Sequence, residues 1–189
     1  PVDHPWLSEN FDEPVLITVG RLTKNKDHQT LLEAFRLMND TVPSRLLILG
    51  EGPERASLEK IIAETGLADR VQLPGFVDTP WAWMAKSSLF VLSSFAEGSG
   101  NVLTEAMAVG TPVVSTDCPS GPSEMLDGGR IAPLVPVGDA KALAAACLDV
   151  LNSGIAASLL DEAVAPFKAE VAAKHYLAFM NVGVPSSTY

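Results

Sequence analysis

Six short apolar runs alternate with helical stretches from residue 14 to residue 152, and few folds accommodate that rhythm. The runs are "PVLITVG" (14–20), "RLLILG" (45–50), "RVQLPG" (70–75), "LFVLSS" (89–94), "TPVVST" (111–116) and a short one near "PLVPV" (133–137). Between them the pattern predicts helices over 28–39, 54–65, 80–87, 101–109, 122–126 and 139–152. In the first of these Leu31, Leu32, Phe35 and Met38 share one stripe. Strands this continuously apolar have no face to spare for water, so they belong to a parallel sheet covered on both sides. The expected architecture is α/β, a Rossmann-like three-layer sandwich spanning 14–165. Residues 1–13 lack periodicity and are expected to form a linker or lead-in. Residues 166–189 are expected to hold a further helix and a tail, since Phe167, Val171, Tyr176 and Phe179 recur in 165–181.

A sheet of this kind binds ligands beyond the carboxyl ends of its strands, so the residues that follow each run are the ones to inspect. Charge narrows the chemistry. The net charge of −10 over 189 residues excludes a general nucleic-acid surface, and any anion site has to be compact. Cys118 and Cys147 form no CxxC pair, and His4, His28 and His175 are scattered, so no metal site is expected. No apolar run approaches the roughly 20 residues of a membrane span and no signal-peptide pattern opens the chain, which predicts a cytoplasmic setting.

The first strand runs into "GRLTKNKD", which places Gly20, Arg21, Lys24 and Lys26 together in an otherwise acidic chain. Lysines ahead of a helix oppose its dipole, and a bound phosphate would satisfy both the cations and the helix-end N–H groups; a solvated loop is the alternative. The second run leads into "GEGPE", where Gly50 and Gly52 allow close approach of a flat ligand or form an ordinary tight turn. "PGFVD" exposes backbone at Phe76 and Val77, while Trp81, Trp83 and Met84 are expected to pack. The fourth run ends in "SSFAEGSGN", which puts Glu97 in a glycine-broken loop, Ser99 or Gly100 at a helix cap, and Glu105 in the second turn beyond Asn101. Bare N–H groups between two carboxylates suit an anion flanked by hydroxyls, because carboxylates accept hydrogen bonds from a diol.

In order, "VGRLTKNKD", "ILGEGPE", "LPGFV", "EGSGNVLTEAMAVGTPVVSTD", "CPSGPSEML" and "LVPVGD" resemble the C-terminal, nucleotide-sugar-binding half of retaining glycosyltransferases of family 4, which have the two-domain GT-B fold. The resemblance covers about residues 5–180 and implies roles position by position. Arg21 and Lys26 match the pair that holds the donor diphosphate, beside Gly20. Glu97 and Glu105 match the E-x7-E glutamates, the first facing the donor sugar and the second binding the ribose. Backbone at Ser99, Gly100, Asn101 and Val102 would contact sugar and phosphate, and backbone near Gly52, Phe76 and Val77 would face the nucleotide. Catalysis would then rest on Glu97, Arg21 and Lys26 with no metal and no cofactor beyond the nucleoside diphosphate sugar itself, UDP- or GDP-linked.

The same resemblance implies an N-terminal Rossmann-like partner domain that supplies the site for a glycan or lipid-linked acceptor and any attachment to a membrane surface. Without that half the fragment is expected to bind donor and catalyse little. "CPSGPSEML" points toward bacterial polysaccharide or glycoconjugate synthesis. Ser99 stands where many relatives carry an aromatic, and Ile131-Ala132 where they often carry glycine, so sugar selectivity is left open. Two other classes remain in view. One is a non-catalytic nucleotide-sugar-binding regulatory module. The other is a glycoside hydrolase using Glu97 and Glu105, which needs its two carboxyl groups facing each other across an open cleft.

Overall fold

The structure is a computed structural model that describes residues 2–98 and 100–167. Its centre is a six-stranded sheet, every pairing parallel, in the order β3-β2-β1-β4-β5-β6. The strands are β1 (Val15–Val19), β2 (Arg45–Leu49), β3 (Val71–Gly75), β4 (Leu89–Leu92), β5 (Val113–Thr116) and β6 (Leu134–Val135). The helices are α1 (His28–Asn39), α2 (Arg55–Glu64), α3 (Pro80–Met84), α4 (Asn101–Ala108), α5 (Pro122–Met125), α6 (Ala140–Ser153) and α7 (Ala157–Val164).

Alternation along each strand sorts side chains between two cores. Leu16, Leu46, Ile48, Val91 and Val114 meet Leu31, Leu32 and Phe35 of α1, Leu58 of α2 and Leu143 of α6. Ile17, Leu47, Leu49, Phe90 and Val113 meet Met84 of α3, Leu103 and Met107 of α4, and Leu160 of α7. Both faces being covered is why the runs read as unbroken apolar segments. The three-layer Rossmann-like expectation therefore holds.

Two details differ from the sequence reading. The expected 80–87 helix stops at Met84, after which Lys86 and Ser87 turn the chain into β4. Helix α7 was not expected: it starts at Ala156 without a side-chain cap, so no start signal marks it, and it is held by burial of Leu160 and Ala163 against α4. At the other end, the lead-in packs under the amino edge of the sheet. Leu7 is buried, Arg45 lies over the rings of Trp6 and Phe11 at 5.4 and 5.7 Å, and Glu13 pairs with Arg45 at 3.0 Å and Arg70 at 2.9 Å. Beyond Phe167 the expected crossing helix lies outside the described residues.

Candidate functional site

From β1 the chain turns to β2 on one side, while β4 pairs on the other, so the strand order reverses between β1 and β4. Open α/β sheets bind ligands beyond the carboxyl ends of the strands at such a reversal. The loops leaving β1 and β4 meet there. Phe95 N–H donates to the Asn25 carbonyl at 2.8 Å, Asn25 Nδ2 donates to the Ala96 carbonyl at 3.4 Å, and Ser93 Oγ donates to the Lys26 carbonyl at 2.9 Å. At the centre Lys26 Nζ lies 2.7 Å from both oxygens of Glu97, with the two side chains only 18% and 7% exposed. Ser94 Oγ also donates to Glu97 Oε1. The basic loop after β1 and the loop that carries Glu97 thus meet, 71 residues apart in sequence.

Lys26 sits in a 3₁₀ turn over Lys24–Lys26 that leads to Asp27, whose backbone is left-handed (φ 46°) and whose carboxylate caps α1 by accepting from Thr30 N–H. Its stem crosses Gly20, where a Cβ would stand 3.4 Å from Lys26 Cε. Gly20 also lines a neighbouring cavity of about 370 Å³ at the ends of β1, β2 and β3, together with Arg21, Gly50, Phe76 and Val77. Phe76 is 76% exposed there, and Arg21 is exposed and in no salt bridge among the described residues. Gly52 has a cause nearer than a ligand. A Cβ on it would lie 2.3 Å from the Leu22 carbonyl oxygen, and one on Gly50 would lie 1.9 Å from that of Gly20. The first two loops are thus laced together, with Leu22 N–H donating to Glu51 O and Glu54 N–H to Leu22 O at 2.9 and 3.1 Å.

Helix α4 starts from Gly100, left-handed at φ 62°, with no side-chain cap on its first turn among the described residues. Asn101 is exposed, Val102 packs toward the second core, and Glu105 stands in solvent. Ser99 lies outside the described residues. A larger cavity, about 850 Å³, opens on the far side of this turn between Gly98, Asn101, Ser120, Glu124, Arg130 and Phe167. It contains none of Arg21, Lys26, Glu97 or Glu105; Asn101 and the "CPSGPSEML" segment, both singled out in the sequence, do line it, though nothing marked them as sharing a cavity. Asn25, Ser93 and Ser94 were also missed. Their only signal is that small polar residues interrupt the apolar run just where the sheet ends.

The hydrolase alternative finds little here, because it needs one acid in an apolar setting facing a second carboxyl. Glu97 is bonded by an ammonium, and Glu105 faces water. Burial pushes the His28 imidazole down to about 4, helped by the Lys26 charge, and its Nδ1 is buried without a partner among the described residues. Burial, aided by the Glu97 charge, pushes the Cys118 thiol up, and burial alone pushes Cys147 to about 12. Neither cysteine is poised as a nucleophile.

Residues 13–153 match the family described as Glycosyl transferases group 1. Similar curated proteins include the lipopolysaccharide core biosynthesis glycosyltransferase LpsE of Rhizobium meliloti, 37% identical over 145 residues, which are 77% of this chain and 42% of that protein. Another is the N-acetylgalactosamine-N,N'-diacetylbacillosaminyl-diphospho-undecaprenol 4-alpha-N-acetylgalactosaminyltransferase of Campylobacter jejuni, 40% identical over 123 residues, which are 65% of this chain and 33% of that protein. Among solved structures, S. aureus TarM in a complex with UDP superimposes with a TM-score of 0.80 at 25% identity, over 89% of this chain and 35% of that one. The chain thus spans less than half the length of each of these relatives.

Proposed function

The chain belongs to the Glycosyl transferases group 1 family, and on that premise we propose that it is the C-terminal, donor-binding half of a retaining GT-B glycosyltransferase of family 4. The observation that carries the reading is the Lys26–Glu97 pair, which joins the β1 and β4 loops at the reversal of strand order. In this reading the donor diphosphate lies over Lys26, Arg21 and the first turn of α4. The base occupies the cavity at Phe76 and Val77, beside Gly52, and Glu105 accepts from the ribose hydroxyls. The sugar faces Glu97 and the backbone of Ser99–Val102.

The chemistry follows from where charge develops. Cleavage of the bond between sugar and diphosphate leaves negative charge on the departing phosphate while the sugar becomes oxocarbenium-like. Once donor is bound, cations already seated on its phosphates and helix-end N–H groups stabilise the first, so no metal is needed. Glu97 offers its carboxylate to the sugar once the phosphate has drawn Lys26 away. An N-terminal Rossmann-like domain would supply the acceptor site, and the names of the relatives point to lipopolysaccharide or lipid-linked glycan acceptors. UDP is the first nucleotide to test, given the TarM complex. Calorimetry of this chain against UDP, GDP and ADP, with and without EDTA, tests the reading. We expect binding of UDP that survives the chelator; binding of no nucleoside diphosphate, or binding that vanishes with EDTA, overturns it.

A further inference from the structure

We infer that Ser94 is a positioning residue that holds Glu97 in place during turnover, an inference that rests on the donor-sugar role proposed for Glu97. Ser94 is buried at the carboxyl end of β4, and its Oγ donates to Glu97 Oε1, one of the two oxygens that Lys26 contacts at 2.7 Å. The residue is itself pinned. Its carbonyl accepts from Thr116 Oγ1 at 2.7 Å, and Thr116 closes the neighbouring strand β5 as a buried residue. Its neighbour Ser93 holds the other arm of the pair, donating to the Lys26 carbonyl at 2.9 Å. Consecutive serines at one strand end thus fix the main chain of the lysine and the side chain of the glutamate.

The two contacts to Glu97 fare differently when donor arrives. Lys26 sits on a flexible stem, and a diphosphate carries more negative charge than a single carboxylate, so the ammonium swings to the phosphate. Glu97 then keeps, among the described residues, only the Ser94 hydroxyl. Oε1 stays tied to the sheet and Oε2 is left facing the sugar. Ser94 therefore acts after donor has bound, and its loss shows in the chemical step.

The test uses the full-length enzyme with its nucleotide-sugar donor. Ser94→Ala, which removes little volume, should lower kcat roughly tenfold, the scale of one hydrogen bond to a charged group, with donor KM within about twofold of the parent. Ser94→Thr restores a hydroxyl and should recover much of the loss. In a Glu97→Ala background, Ser94→Ala should cost less than about twofold more, because the interaction it serves is already gone. A Ser94→Ala variant with unchanged kcat, with the loss confined to KM, or with the same tenfold loss when Glu97 is absent overturns the inference. Calorimetry of UDP on the parent and on Ser94→Ala separates the two proposals. Equal binding leaves the kinetic outcome to judge Ser94, whereas a parent that binds no nucleotide sinks the donor-site reading and this inference with it.

Discussion

Two clusters of paired charges sit at opposite edges of the same sheet, and they are built for different ends. Under the amino edge, Glu13 bridges Arg45 and Arg70 while the Arg45 guanidinium is stacked on Trp6 and Phe11, so these charges are wrapped in the chain's own side chains. At the carboxyl edge, Lys26 and Glu97 are closer still, at 2.7 Å, but they are flanked by Gly20 and Gly98, an exposed Arg21 and an open cavity. The first cluster has aromatic packing, and the two Arg45 nitrogens without a partner among the described residues, Nε and Nη1, are buried away from any open cavity. The second has bare backbone beside it and charges that a ligand could redistribute. An ion pair says little about purpose until its surroundings are read.

The comparison breaks most visibly at Lys26. Lys26→Ala should cost about 3 kcal/mol in transfer, a factor of roughly 10², and weaken UDP more than uridine in calorimetry. Equal weakening of both ligands would place the lysine away from the phosphates. Next comes acid sensitivity at the same edge. His28 titrates near 4 when folded against an ordinary 6.5, so the unfolded chain binds more protons between those values and stability falls as pH drops through that window. The full difference is about 3 kcal/mol, reached only below pH 4, and His28→Asn should flatten that part of the profile in chemical denaturation measured from pH 7 to 4.

The amino edge should behave the opposite way to Lys26. Glu13→Ala leaves Arg45 and Arg70 without their carboxylate and should lower stability by about 1–2 kcal/mol, seen as a fall in Tm, with UDP affinity unchanged. A loss of nucleotide binding there would erase the distinction between the edges. Smaller effects sharpen the carboxyl edge itself. Arg21→Ala, being exposed, should cost about tenfold in UDP affinity and almost nothing for uridine. Glu105→Gln should cost roughly threefold for UDP and nothing for its 2′,3′-dideoxy analogue, because only the former offers the hydroxyls.

Much of this was legible in the sequence because it depends on local rules. The unbroken apolar runs that hold Leu16, Ile17, Leu46 and Leu47, the glycine-broken loop before Asn101, and cations crowded into an acidic chain each carry a physical reason that needs no coordinates. Hidden from it was whatever depends on partners distant in sequence. The bond from Ser93 to Lys26 spans 67 residues, the stacking of Arg45 on Trp6 turns an aperiodic lead-in into packed structure, and α7 owes its helix to α4 and not to its own caps. Gly52 was legible as a residue requiring close approach, but what approaches is the Leu22 backbone.

That backbone contact has an evolutionary corollary. With Gly50 facing the Gly20 carbonyl at a separation that no β-carbon survives, the floor of the pocket is frozen and new preferences cannot be written into it. If the cavity holds the base as proposed, divergence toward another base would proceed through Phe76 and its neighbours, where a side chain already projects freely and can be exchanged without moving the scaffold.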